Sequence, residues 1–429
     1  MNRNHNYRAV AEFEKQESVI LSWPPAKYVC GNYNIEEPVI EVIRNLMDQV
    51  QVIVNYYYQD LMEIKSALVL AGIDIDQLRF EKYQSDDVIV EEDPDLFIET
   101  SWLRDYGAEI VMDDEGNRGV VDFDDAYYGI AGSTVYERGA AAVKGIARWH
   151  ASLENIDDIL FTRLVSEGGD REFNGSGVMM TVEETEVTKR NPAYTRNEVE
   201  AEFKSIFNLD QVIWLPRASY DDEDYTSGPI PGPTGKYDAY RSSSANGHID
   251  EMCRFVSKDT VILAEVTEEE AKESELHRLN KERFDQAYEV LKQARDQDGN
   301  PFKIIRIPVP EAVYVDIDLQ EPSPMQDIWM ELDELLDGKM LDGSDLPVGK
   351  SRFLPALSYC NFLITNGSVL AQKYYQEGMP EIIKKKDEKA LEVLKAVFPD
   401  REVVQINTLA LNIFGGGIHC LTRQVPSSK

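Results

Sequence analysis

Near the C-terminus the chain reads Gly415-Gly416-Gly417-Ile418-His419-Cys420. Three successive glycines let the backbone reach angles closed to other residues and bring main-chain N–H groups close to a neighbour; here they lead straight into a thiol. A cysteine set up in this way, with a histidine far off in sequence, fits a nucleophile, whereas most buried cysteines act as small hydrophobes. The histidine that fits is His248 in Gly247-His248-Ile249-Asp250, which brings its own carboxylate. Further acids stand in Trp102-Leu103-Arg104-Asp105-Tyr106-Gly107 and Glu167-Gly168-Gly169-Asp170, and an amide in Ser358-Tyr359-Cys360-Asn361-Phe362.

A thiol, an imidazole and several carboxylates suggest covalent catalysis in which a thiolate attacks and the imidazole moves protons. Peptide-bond hydrolysis needs oxyanion donors and has little use for three acids. Attack on a guanidinium makes the opposite demand, because the substrate is a planar cation whose N–H fork matches carboxylates in bidentate pairs. In this scheme Asp105 and Asp250 hold the terminal nitrogens, each charge-assisted bond contributing about 1.5–3 kcal/mol. Cys420 attacks the central carbon. His248 protonates the departing ammonia and then deprotonates the hydrolytic water, while Glu167 either holds the imidazole or accepts a further guanidinium N–H. Addition neutralises a carbon that starts positive, so neither an oxyanion hole nor a metal is required.

Each residue also has a plainer reading. Gly247-His248 can belong to a cap, Arg104–Asp105 to a local ion pair and Glu167-Gly168-Gly169 to a turn. His419 lies beside Cys420, but on a strand adjacent side chains face opposite ways, so shared ligation is not expected. His5, His150 and His277 fall in a tail or on helices without a partner pattern, and Cys30, Cys253 and Cys360 read as structural thiols.

The elements that must position these residues alternate between strand and helix. Glu17 to Trp23 reads as a buried strand stopped by Pro24-Pro25, followed by helix from about 35 to 50, strand at 52–54 and helix from about 59 to 70. From Trp102 onward one plan recurs: polar motif, apolar strand, tight turn, apolar strand. The turns are Asp113 to Asn117, Asn174 to Gly177, Ser257 to Asp259 and Asn366 to Ser368. Helices are expected from about 136 to 153, 196 to 207, 268 to 297 and 380 to 397. The Gly417–Thr422 stretch makes a fifth copy if Val19-Ile20-Leu21 supplies its missing strand. The spacing is uneven, but in each copy the polar motif stands at the hairpin entrance. Five units around an axis would collect Asp105, Glu167, His248 with Asp250, Asn361 and Cys420 in one mouth.

Two stretches break the plan. Residues 219–246 form an acidic, proline-rich loop just before His248, expected to be either a substrate-facing lid or a passive insertion. Residues 321–350 hold an amphipathic acidic run that either packs as an extra helix or makes a subunit contact. The charged segment 268–297 reads as a solvated outer helix.

At 429 residues the chain has ample length for a large core, and its formal charge of −34 argues against a nucleic-acid partner while favouring cationic ligands. Four scattered cysteines suggest free thiols in a reducing compartment. Neither a signal core nor a membrane-length apolar run is found, so the expectation is a cytoplasmic protein without membrane contact.

These motifs, together with Ala11-Glu12-Phe13-Glu14 and Ser22-Trp23-Pro24, resemble the Porphyromonas-type peptidylarginine deiminase and agmatine deiminase family of the guanidino-group-modifying superfamily. The resemblance spans nearly the whole chain. It implies one catalytic domain over 1–429 with the two insertions, built as an α/β, five-bladed pseudosymmetric propeller (pentein), free of metal and cofactor. It implies Cys420 as nucleophile, His248 as acid–base, Asp105 and Asp250 as guanidinium ligands and Glu167 in support. Trp102, Arg104, Asn361 and Gly417 are the expected substrate contacts. Agmatine or a related small guanidino cation is the leading substrate, since the acids at Asp122 to Gly129 suit a second positive charge and no carboxylate-binding arginine stands there. An arginyl peptide is the alternative, with amidino transfer or a non-enzymatic acidic binding protein further off; a homo-oligomer is compatible with the sequence.

Overall fold

The computed structural model describes residues 6–24, 29–57, 59–83, 101–124, 127–129 and 143–428. Pro25, Asp125, Ala126 and the expected helix start near 136 lie outside the described residues. Five sheets repeat one strand plan, an antiparallel pair followed through a crossover by a parallel third strand. In the second, Glu109–Met112 and Arg118–Asp124 form the hairpin and Ile159–Val165 runs parallel to its second strand. Glu172–Phe173, Val178–Val182 and Gln211–Leu215 make the third, and Cys253–Ser257, Thr260–Glu265 and Lys303–Pro308 the fourth. Leu363–Ile364, Ser368–Lys373 and Glu402–Asn407 make the fifth.

The remaining sheet joins the chain ends. Thr422–Pro426 pairs antiparallel with Gln16–Ser22, which continues in parallel to Gln51–Tyr56 and Leu78–Lys82. The N-terminal strand therefore completes the copy begun by the cysteine segment. In each sheet the strand between antiparallel and parallel partners carries a buried, mostly apolar centre, as Val19-Ile20-Leu21 and Val261-Ile262-Leu263 show. The crossover helices follow local signals. Arg196–Phe207, for example, starts on a capping box of Thr195 and Glu198 and ends on left-handed Asn208.

The segment expected as one solvated helix is two. Glu268–Glu273 stops at Ser274, whose hydroxyl caps Glu275–Gln293. The second helix buries Leu276, Asn280, Arg283, Phe284, Ala287 and Leu291, a stripe at three- and four-residue spacing that its many charges obscure in the sequence.

The two interruptions fold onto each other. Ile230–Pro231 pairs with Tyr237–Arg241, which runs parallel to Lys350–Leu354, itself antiparallel to Val315–Asp318. The helix Pro324–Leu336 covers this sheet through Trp329, whose ring lies 6.0 Å from Tyr225, 6.3 Å from Tyr240 and 5.7 Å from Phe353. No helix among the described residues is long and apolar enough to cross a membrane.

Candidate active site

Each candidate side chain leaves the backbone just ahead of a hairpin. Asp105 lies in the single helical turn Leu103–Tyr106, Glu167 immediately before the turn Gly168–Asp170, His248 before Ile249–Glu251, Asn361 two residues before Leu363, and Cys420 in the turn Ile418–Leu421 that feeds Thr422–Pro426. Tight turns suit this position: they end one backbone direction and aim a side chain before the ladder starts.

Asn361 ties the cluster together. Its Nδ2 donates to Cys420 Sγ at 3.0 Å, Glu251 Oε1 at 2.9 Å and Asp250 Oδ2 at 3.2 Å, while its Oδ1 accepts from the His419 amide at 3.0 Å. The thiol also lies 3.7 Å from Asp250 Oδ2 and 3.8 Å from Glu251 Oε1, and Cys420 is only 2% exposed. On the other side His248 stands between two acids, Nδ1 3.7 Å from Asp105 and Nε2 3.5 Å from Glu167. These separations are long for hydrogen bonds, and neither ring nitrogen has a hydrogen-bond partner among the described residues. Asp105 accepts from the Gly169 amide at 2.8 Å and the Tyr128 hydroxyl at 2.9 Å, and Arg190 Nε reaches Glu167 at 2.7 Å.

The glycines make this density possible. A Cβ on Gly416 would lie 2.7 Å from the Trp102 ring and 2.9 Å from Cys420 Cβ, and one on Gly169 would overlap the imidazole of His248. Trp102 is thereby packed against the glycine run, and the main-chain N–H of Gly417 faces the Cys420 sulfur.

The chain matches the family described as Porphyromonas-type peptidyl-arginine deiminase over residues 8–231 and 237–426. The chain belongs to that family. Among sequence relatives of this peptidyl-arginine deiminase family member, the agmatine deiminase of Medicago truncatula is 29% identical over 340 residues, covering 76% of each chain. That of Stutzerimonas stutzeri (strain A1501) is 28% identical over 359 residues, covering 83% of this chain and 79% of its own. The solved agmatine deiminase of Enterococcus faecalis superimposes with a TM-score of 0.71 at 21% identity, over 99% of this chain and 96% of that one, a likeness of fold.

Charge in this deiminase-family site follows from burial and neighbours. Burial alone would lower the His248 pKa, but Asp105, Glu167 and Asp250 overcome it and raise it to about 10, so the ring is an imidazolium at neutral pH. Cys420 moves up, through burial first and then Asp250, Glu251 and Asp105, so the resting sulfur is a neutral thiol. Burial would raise Glu167 as well, yet Arg190 and His248 bring it down to about 2. Asp250 is held low against burial by its bond to His419, whereas burial and neighbouring acids push Glu251 far up. Asp250 Oδ1 is buried and has no hydrogen-bond partner among the described residues.

Asp250, Glu251 and Cys420 place one ligand-type atom each within 4.8 Å of the others, the spacing of a metal site. The donor set does not fit a cation, because Asn361 Nδ2 already sends N–H bonds to all three atoms and so takes the position an ion would need.

Two sequence expectations need correction. Arg104 is not placed for substrate: its guanidinium is spent on Glu12 at 3.1 Å, Gln424 at 2.7 Å and the His419 carbonyl at 3.2 Å. His419 is on a helical turn and not a strand, so it shares Asp250 with Cys420 instead of facing away: its Nδ1 meets Asp250 Oδ2 at 2.6 Å and its Nε2 meets Glu12 at 2.7 Å. His150, given no role, accepts from the Ala108 amide at 3.1 Å. Tyr128, Arg190 and Glu251 carry no motif of their own, and Glu12 lies in a motif, Ala11-Glu12-Phe13-Glu14, that assigns it no role; only their partners in space reveal what they do. His419 had a usable signal, since three glycines favour a turn over a strand.

Proposed function

We propose that the protein hydrolyses a guanidinium group to a ureido group and ammonia, with agmatine or a similarly small guanidino cation as its leading substrate. The observation that carries this reading is a buried thiol inside a shell of carboxylates, one oxygen of which, Asp250 Oδ1, lacks a hydrogen-bond partner among the described residues. A buried carboxylate oxygen left unmatched is costly unless a cation completes it. A planar guanidinium between Asp250 and Asp105 does so and presents its central carbon to Cys420.

The entering cation offsets the negative field that keeps the thiol protonated, so on binding the thiol proton passes to solvent water and leaves the thiolate. Sulfur adds to the carbon. The C–N bond breaks as His248 gives its proton to the leaving nitrogen, which departs as ammonia and leaves an amidino-thioether on Cys420. The now neutral imidazole takes a proton from water, the resulting hydroxide adds to the same carbon, and the C–S bond breaks as the hydroxyl proton passes to the departing sulfur, which restores the thiol and frees the ureido product. Glu167, clamped by Arg190, orients His248 and stabilises its charged form.

The enclosed site suits a small substrate. The family's description makes an arginyl peptide the second reading. We further read the five sheets as blades of one pseudosymmetric pentein propeller, the whole chain as a single catalytic unit and the four unpaired, buried cysteines as fitting the cytoplasm. The test is ureido-product formation from agmatine, free arginine and an arginyl peptide, with Cys420→Ala as control. Turnover of agmatine that vanishes in the folded variant supports the assignment; preference for the peptide moves it to the second reading, and turnover that survives in Cys420→Ala overturns both.

A further inference from the structure

The stretch leading into His248 is conformationally unusual. Asn246 has φ of 59° and Gly247 of 108°, two successive left-handed residues just before the proposed acid–base group. A non-glycine residue there costs energy unless the surroundings fix it. What fixes it comes from the insertion. Asp222 Oδ1 accepts from the Ala245 amide at 2.8 Å, and Oδ2 accepts from the amides of His248 at 2.8 Å and Gly247 at 3.1 Å. Three backbone N–H groups thus point at one buried carboxylate. The carbonyls are held separately, Gly247 O by the Thr185 hydroxyl and Asn246 O by Lys189 at 3.2 Å.

Asp222 is itself rigidly mounted. It closes the turn Tyr220–Asp222, whose Tyr220 amide donates to Asn280 at 2.7 Å and whose Tyr220 carbonyl accepts from Arg241 at 2.7 Å. Arg283 donates to the Ala218 carbonyl at 3.1 Å, and Arg241 and Arg283 flank the Tyr220 ring at 4.9 and 5.2 Å. Asn280 and Arg283 lie on the helix Glu275–Gln293 and Arg241 ends the strand Tyr237–Arg241, so both the outer helix and the inserted sheet brace this carboxylate.

We propose that Asp222 is a positioning residue for His248, and that the 219–246 insertion acts as a clamp that sets the acid–base group in place. The inference rests on the reading of His248 given above. One carboxylate fixes the amides on either side of the left-handed pair, so the imidazole is presented between Asp105 and Glu167 in a single orientation. It also adds negative charge beside a ring already flanked by Asp105, Glu167 and Asp250.

The test is Asp222→Asn in the full-length protein, with Asp316→Asn, an exposed ion-pair partner of Arg352 in the inserted sheet, as control. The asparagine keeps the shape but turns an N–H group toward backbone N–H groups. Misplacement of a catalytic group by about 1 Å costs on the order of 100-fold. Asp222→Asn should therefore lower kcat at least tenfold with KM changed less than about threefold, and the control should match wild type. A purely structural role would not move the His248 titration followed by NMR on histidine-labelled protein, whereas the clamp predicts a shift to lower pH in Asp222→Asn. That readout needs no turnover, so it stands even if the substrate assignment fails. Unchanged kcat, or lowered kcat with an unmoved His248 titration, overturns the proposal. Should the variant not fold, slow hydrogen exchange at the Gly247 and His248 amides of the wild-type protein supports the clamp, and exchange as fast as in exposed loops overturns it.

Discussion

Replacing Glu12 by Gln tests whether the site depends on a residue more than 400 positions away from the nucleophile in sequence. Glu12 sits in the turn between Arg8–Ala9 and Gln16–Ser22, and its buried carboxylate is the meeting point of two guanidinium groups and an imidazole. It contacts His419 Nε2 at 2.7 Å, Arg104 at 3.1 Å and Arg254 at 3.1 Å, and accepts the Ile364 amide at 2.8 Å. Arg254 keeps a second acid, Glu172. Arg104 does not: its other partners among the described residues are an amide and a carbonyl, and burial already lowers its pKa to about 10, with Glu12 the chief opposing influence. Glu12→Gln therefore leaves a buried guanidinium uncompensated, which costs about 3–5 kcal/mol. A native protein has roughly 5–15 kcal/mol in total, so the loss is a large share.

The pH dependence gives a second signature. Burial would raise the Glu12 carboxyl, but its neighbours His419, Arg254 and Arg104 hold it well below its ordinary value of 4.5. A depressed native pKa contributes stability that is present above the unfolded value and is lost as pH falls through the native one. The gap between wild type and Glu12→Gln should be constant from about pH 6 to 8 and narrow as pH falls below about 4.5. Urea unfolding followed by tryptophan fluorescence, at matched m-values, measures it. A variant within 1 kcal/mol of wild type near neutral pH, or a gap that does not shrink in acid, would refute the reasoning.

Three other expectations follow from the same geometry. Gly416→Ala forces a methyl between Trp102 and Cys420 Cβ, so it should cost about 1–3 kcal/mol in thermal or urea unfolding and at least tenfold in kcat; wild-type turnover would show that the glycine run has slack. Iodoacetamide should modify Cys420 slowly at pH 7 and faster when acetamidinium is present, with Cys420→Ala as blank; a resting rate like that of a free thiol would contradict the neutral resting sulfur. His248 has a native pKa near 10 against 6.5 unfolded, so its contribution is full below pH 6.5 and lost as pH rises toward 10; His248→Gln should flatten that decline in stability, and an unaltered slope would mean that the ring is not charged.

How much of this was legible in the sequence depends on which force placed each residue. The repeated hairpin could be read because a strand covered on both faces must be apolar and its turn must carry glycine, asparagine or aspartate; even the pairing of Val19-Ile20-Leu21 with the last strand followed from one copy lacking a partner. The polar residue at each hairpin entrance was legible for the same reason, since repetition marks a position. Asp222, Glu12 and Arg190 are members of no repeat. Each was chosen by the charge or N–H groups it meets across the fold, which local spacing does not encode. Arg104 went astray because a short motif places a residue near the site without saying which way it points. The buried cations Arg104, Arg190 and Arg254 answer carboxylates from behind, at Glu12, Glu167 and Glu172. Asp105 and Asp250 have no arginine within ion-pair distance among the described residues, and they stand 3.7 Å from the imidazole and the thiol respectively. The two acids left without an arginine are thus the two proposed to meet the substrate, so the cation that completes the site is the one to be transformed.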